Sequence, residues 1–410
     1  MKDNQPSKFD AVLGGQTPPP TNDLVLGGIE GVKHRLKSSE REVQINALSQ
    51  ALDYGKPGLD LVIEILVRSP NEIQRSIAQL MREKGGVEGK QFLLNYNPWL
   101  FFTSLEDWTI SEANKAVRVV KTPKQIQTFL EKPQAKDLVA LVCEIDCDYR
   151  NQHRNVCDYI NQLIDNYQKL PNLKVLFAGD SNDSSTWERG YSQIYLDNIY
   201  PFIKTFPKLE VLHLCGHFGK SERPLIKQES KKHEILQIRR IDGSVVEPKK
   251  LKADRLKTLV VEGADLTDDR IAQICQVEYP SLEYLELWLG RKDTRKIVDI
   301  LAPILSGELC PNLLYLGLIG SENTNAIAAA IANSQIIKSL KVLDLGNGTL
   351  SNAGLLALLN CSEINNLHTL NISENRLKPN MLEKLSQLKC QVVAESQFHN
   401  RYYRYSSVWE

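Results

Sequence analysis

A chain of 410 residues exceeds the size at which one compact core keeps growing, so several domains or an elongated repeat architecture are expected. Lys plus Arg and Asp plus Glu number 50 each, and the formal charge of zero removes any global electrostatic attraction to nucleic acid or an anionic membrane. The eight cysteines, Cys143, Cys147, Cys157, Cys215, Cys275, Cys310, Cys361 and Cys390, are scattered through apolar stretches, as reduced thiols of a cytoplasmic protein are, and form no disulfide framework.

The first thirty residues lack a basic stretch followed by an apolar one, and no segment approaches about eighteen apolar residues without a charge. Neither a secretory leader nor membrane insertion is therefore expected. Residues 1–23 are polar, contain Pro18-Pro19-Pro20 and show no hydrophobic period, which predicts a disordered tail. From Leu24 the pattern is helical. Ser39 to Leu48 and Ser69 to Ala78 superimpose with an offset of thirty residues, each opening with a helix-start signal and then placing apolar residues on one face. Gly55, Pro57 and Gly58 break the run before Leu59–Leu66, which completes a helix pair, so residues 24–130 are expected to be a small all-α, HEAT-like repeat domain. The aromatic stretch Asn95–Phe102 is expected to plug the end of the helical stack or to join it to the next domain.

The second half carries a stronger signal. The template L-x-x-L-x-L, with other apolar residues allowed at its last position, recurs with first positions at Leu173, Leu209, Leu256, Leu282, Leu313, Leu340 and Leu367. The spacings from Leu256 onward are 26, 31, 27 and 27 residues, which suits a strand plus a helix per repeat. Leu138 is expected to start the series, and the longer gap after Leu209 has room for a degraded repeat with Leu236 and Ile238 in its inner positions. Helical segments are predicted at 268–274, 325–331 and 354–359. No unit of this kind buries its own leucines, so the units must stack into one continuous core. Residues 131–397 are thus expected to form a leucine-rich-repeat horseshoe of the ribonuclease-inhibitor-like kind, an α/β solenoid. Phe398, Tyr402, Tyr403, Tyr405 and Trp409 would form an aromatic cap over residues 398–410.

Strand periodicity turns positions one, four and six of each template to the core and three, five and seven to the concave face. Those outward positions include Phe177, His213, Tyr284, Trp288 and Tyr315, framed by Glu262, Glu286 and Asp344. Aromatic anchors within an acidic frame have the composition of a protein-binding hot spot. The bland alternative is that these rings merely pack on adjacent strands.

Other motifs carry less. Phe177-Ala178-Gly179-Asp180-Ser181 imitates an esterase nucleophile block, but no D-x-x-H follows Ser181 to supply its base. Cys143, Cys147, His153 and Cys157 lack the tight pair of a structural zinc site. Gly219-Lys220-Ser221 ends like a phosphate-binding loop, yet Leu214 stands where that loop needs glycine. Residues 219–257 hold twelve Lys or Arg against six acidic residues, a solvated insertion without the interleaved aromatics of a nucleic-acid surface. No metal, cofactor or catalytic residue is expected.

With FAGDSNDSSTW, FPKLEVLHLCG, LEYLELWLG, LAPILSGELCPNLLYLGL, LKVLDLGNGTL and RYYRYSSVWE, the chain from Phe177 onward resembles a bacterial family of leucine-rich-repeat proteins of undefined biochemical role. The region from Leu24 to about Trp108, with VLGGIEGVKHRL, ALDYGKPGLDLVIEIL and NYNPWLFFTSLEDW, resembles a HEAT-like module of cyanobacterial multidomain proteins related to the phycobilin-lyase repeat. Neither resemblance brings catalytic residues; both imply a fold and a recognition role. The expected function is a non-enzymatic protein–protein adaptor. Its rivals are an inhibitor of a toxin or nuclease, a lyase-like or chromophore-related accessory acting through the helical domain, and a nucleic-acid binder using Lys231, Lys232, Arg239 and Arg240.

Overall fold

The structure is a computed structural model that describes residues 28–102, 117–120, 122–144, 162–179, 199–216, 238–239, 245–246, 251–263, 266–290 and 296–397. The chain divides into two compact units, Met1–Phe102 and Thr103–Glu410.

The first unit is helical, with α1 (Gly28–Arg35), α2 (Arg41–Ala51), α3 (Lys56–Arg68), α4 (Asn71–Lys84), α5 (Gly86–Tyr96) and α6 (Pro98–Phe101). Its core is drawn from one stripe per helix: Ala47, Leu48 and Ala51 of α2, Leu59, Val62 and Leu66 of α3, and Ile77, Ala78 and Met81 of α4 are all buried. A Cβ on Gly58 would collide with the Ala51 carbonyl, so only glycine lets α3 begin this close to α2. Leu100, Phe101 and Phe102 are buried against the unit, and the Arg82 guanidinium donates to all three of their carbonyls at 3.0, 3.2 and 2.8 Å. Those carbonyls lie at a helix end, where backbone acceptors need donors from outside the helix, and Arg82 supplies one. The aromatic stretch therefore folds back on its own unit, although Trp99 remains 46% exposed.

The second unit is an α/β solenoid of the leucine-rich-repeat type. Its strands are β1 (Val117–Val120), β2 (Ala140–Glu144), β3 (Val175–Gly179), β4 (Val211–Cys215), β5 (Ile238–Arg239), β6 (Val245–Val246), β7 (Thr258–Glu262), β8 (Tyr284–Trp288), β9 (Tyr315–Ile319), β10 (Val342–Asp344), β11 (Thr369–Asn371) and β12 (Gln391–Val393). All but β5 and β6 form one ten-stranded sheet in chain order, and every pairing in it is parallel. Parallel neighbours need a crossover, and most connections contain a helix: α7 (Pro123–Leu130), α8 (Tyr200–Thr205), α9 (Asp268–Ile274), α10 (Ile297–Leu305), α11 (Thr324–Ala332), α12 (Asn352–Leu359) and α13 (Pro379–Leu382). The template leucines lie between sheet and helices. Leu282, Leu285 and Leu287 are fully buried, and so are Leu313, Leu316, Leu343, Leu345 and Leu370 of the following repeats.

Three features depart from the sequence reading. The units divide at Phe102 rather than near residue 130, because Val117–Val120 pairs with β2 and Pro123–Leu130 packs under the sheet. Leu138 does open the series of leucine templates, in register with Leu173, but the sheet extends past the series at both ends, with a template-free strand, Val117–Val120, before it and another, Gln391–Val393, after Leu367. No degraded repeat enters the sheet after Leu209, since β4 pairs directly with β7. Strands β5 and β6 instead form a separate antiparallel pair. The tail, the aromatic segment 398–410, Ser181, Cys147, His153, Cys157, Gly219-Lys220-Ser221 and most of the basic insertion lie outside the described residues.

Candidate functional site: the open face of the sheet

Strand register places one side chain per repeat in a row across the face opposite the helices. The central row reads Val119, Val142, Phe177, His213, Val260, Glu286, Gly317, Asp344, Asn371 and Val393. Adjacent members stand about 4.8 Å apart, close enough for each to cover its neighbours. The row is graded. At one end Val142 and Phe177, with Cys215 from beside the row, make an apolar cluster with Val119 packed on it; from Glu286 to Asn371 the row is acidic and amide-bearing around Gly317.

Gly317 organises the acidic part. It lies between Glu286 and Asp344, and a Cβ there would press on the Tyr315 ring and hydroxyl at 3.0 Å and on Glu286 Cγ at 3.2 Å. The vacant position lets the Tyr315 ring lean along its own strand, so that its hydroxyl lies 3.2 Å from Glu286 Oε2 and 3.4 Å from Asp344 Oδ2. Tyr284 stacks on Tyr315 with centroids 3.8 Å apart and planes 4° from parallel, and its hydroxyl donates to the same Glu286 oxygen. Trp288 Nε1 donates to Glu286 Oε1 at 2.7 Å. Asp344 receives the Gly346 amide on Oδ1 at 2.8 Å and the Asn371 amide on Oδ2 at 3.0 Å. Burial pushes both carboxyl groups above their ordinary range, more strongly than these hydrogen bonds pull them back. At Glu286 the His213 ring also pulls downward and the Asp344 charge pushes upward, both less than burial does.

Of the eight positions expected to bind, five meet in this one network: Tyr284, Glu286, Trp288, Tyr315 and Asp344. His213 and Glu262 sit beside each other, with Nε2 and Oε2 3.6 Å apart, too far for a hydrogen bond. Phe177 stands edge-on to the His213 ring at 4.8 Å, on the apolar side. The expectation that all of them face solvent fails for three. Phe177, Tyr315 and Asp344 are buried, at 3%, 2% and 8% exposure, whereas Tyr284, Glu286, Trp288, His213 and Glu262 are half-buried. Strand alternation fixes the side of the sheet a residue points to; flanking side chains decide whether it is covered. Gly317 and Asn371, outward positions by the same strand alternation but not among the eight, share the central row with Glu286 and Asp344.

Cys143, the candidate zinc ligand that is described, points into the core, where burial pushes its thiol far up. Burial also raises the thiols of Cys275 and Cys310 to about 12, which disfavours the thiolate that nucleophilic attack or metal ligation needs. Among the described residues no helix is long and apolar enough to cross a membrane.

No family model matches the chain, and no curated protein does. Among solved structures, a Bacteroides fragilis protein determined by a structural-genomics consortium superimposes with a TM-score of 0.55 at 19% identity, over 77% of this chain and 84% of that one. An internalin from Listeria monocytogenes aligns at 12% identity over 64% of this chain and 62% of its own, with a TM-score of 0.29. A leucine-rich-repeat protein from Leptospira interrogans aligns at 17% identity over 63% and 73%, with a TM-score of 0.23. The similarity to the Bacteroides fragilis protein is one of fold, and the assignment of the repeat type rests on the strand order and buried leucines of this chain itself.

Proposed function

We propose that the chain is a non-catalytic adaptor whose repeat unit grips a protein partner on the open face of its sheet, through Tyr284, Glu286 and Trp288 with His213, Glu262 and Asp344 around them. The observation that carries this reading is the network on Glu286. Two stacked tyrosines and a tryptophan are held in one arrangement before any partner arrives, yet Tyr284, Glu286 and Trp288 retain exposed surface. Rigid aromatics lose little conformational entropy on binding and dominate interface energetics. Buried Phe177 and Tyr315 support the patch from beneath instead of touching the partner. The helical unit, HEAT-like in its sequence pattern, would hold a second partner, with Tyr96 and Trp99 as exposed aromatics. The buried, free thiols among the described residues suit a reducing, cytoplasmic setting.

A photo-cross-linking residue placed at position 288 tests the reading against one at Leu356, an exposed helix-side position 43% accessible. Adducts to a protein partner are expected from position 288 and lost on Tyr284→Ala. Adducts from position 356 alone would place the binding surface elsewhere.

A further inference from the structure

We infer that the partner segment laid on this face is basic, and that an arginine of it sits against the Glu286–Asp344 pair beside Trp288; this rests on the proposed use of the open face. The argument is one of unmatched charge. Glu286 accepts from the Tyr284 hydroxyl and the Trp288 indole, Asp344 accepts from a backbone amide and an asparagine, and the single Tyr315 hydroxyl proton is shared between the two carboxylates. All these donors are neutral. They satisfy lone pairs but do not cancel charge, and among the described residues neither carboxylate has a Lys or Arg in ion-pair reach.

Three other acids of this unit do meet a lysine or arginine. Glu210 lies between Lys174 and Lys257 at 3.0 and 2.9 Å, Glu278 meets Lys252 at 2.7 Å, and Glu322 meets Arg376 at 3.9 Å. Those pairs are at least partly exposed, where an unpaired acid would cost little; the unmatched pair is the more buried one, where charge is expensive to leave alone. Among the described residues, therefore, no lysine or arginine stands where its charge would act most strongly, and His213 offsets Glu286 by less than burial raises it. Glu262 adds a third carboxylate on the neighbouring strand, beside His213. A nucleic acid is excluded as occupant by the same sign. Arginine fits better than lysine because its planar guanidinium stacks on an indole while donating to a carboxylate.

The test uses the full chain and a fluorescein-labelled peptide of alternating glycine and arginine, with a counterpart carrying neutral citrulline. Binding is compared for wild type, for Glu286→Gln/Asp344→Asn, and for Glu308→Gln/Glu383→Gln, a control that removes the same charge at positions away from the open face. The arginine peptide is expected to bind more than about tenfold tighter than the citrulline peptide, and the face variant to lose more than about tenfold while the control loses less than about twofold. The melting temperature of the face variant should equal or exceed that of wild type, because buried charges kept for binding are not kept for stability. Equal loss in both double variants, equal binding of both peptides, or a lowered melting temperature in the face variant would each overturn the inference. Glu286→Gln and Asp344→Asn as single variants are expected to give the same readings in smaller measure, and a lowered melting temperature in either counts against the inference in the same way. Adducts from position 288 together with a negative peptide result would leave the open face as the binding surface and remove only its basic occupant.

Discussion

Glu286 and Asp344 are the residues at which this protein departs from ordinary surface chemistry. In the unfolded chain both titrate near their ordinary values, 4.5 and 3.8. Folding raises both, so the folded state holds its protons more tightly and stability falls as pH rises from about those values through the folded ones. The penalty is complete above the folded pKa values. The titratable groups that face the pair are Tyr284, Tyr315 and, toward Glu286, His213, which lowers Glu286 by less than burial raises it. The stability of Glu286→Gln/Asp344→Asn relative to wild type should therefore grow as pH is raised from about 4 to 7, reaching on the order of 1 kcal/mol, as read from urea unfolding at each pH. A gap of opposite sign, or none, would mean that the neutral donors compensate the charge in full. Gly317 matters at the same scale: its missing side chain is what lets one tyrosine reach both carboxylates.

At the scale of the element, the repeats are tied at both edges of the sheet. Beyond the strand ends Asn375 is fully buried, donating to the Leu345, Ile372 and Ser373 carbonyls at 2.8, 3.1 and 3.0 Å and accepting the Leu350 amide at 2.8 Å. One side chain thus satisfies backbone groups in its own turn and in that of the preceding repeat. Asn375→Ala strands those groups without water and should cost about 2–4 kcal/mol in chemical denaturation. At the opposite edge Lys174, Glu210 and Lys257 alternate across β3, β4 and β7. Burial alone would raise Glu210, but hydrogen bonds from Lys257 and Lys174 outweigh it and hold the carboxyl below its ordinary value of 4.5. A depressed carboxyl contributes stability that is present above about 4.5 and lost as pH falls through the folded value. Glu210→Gln should accordingly cost about 0.5–1 kcal/mol at pH 7, limited by the exposed lysine ends, and nothing at pH 2. A cost that persists at pH 2 would assign the effect to packing.

At the scale of the whole molecule, recurring leucines at positions one, four and six foretold the solenoid, because a period shared by successive units leaves stacking as the only way to bury them. Alternation likewise foretold which side of the sheet Tyr284, Glu286, Trp288 and Asp344 occupy, a local property of extended backbone. The first and last strands escaped notice because Val117–Val120 and Gln391–Val393 lack the leucines and are strands only through the neighbour each one pairs with. Ile238 looked like a repeat strand by composition, but β7 takes the place beside β4. Sequence by itself determined the repeat, its period and the side to which each residue points. Tertiary structure alone decided which outward residues are covered, that Gly317 brings Tyr315 to two carboxylates at once, and that among the described residues those carboxylates meet neutral donors instead of a Lys or Arg, since each depends on side chains brought together from different strands.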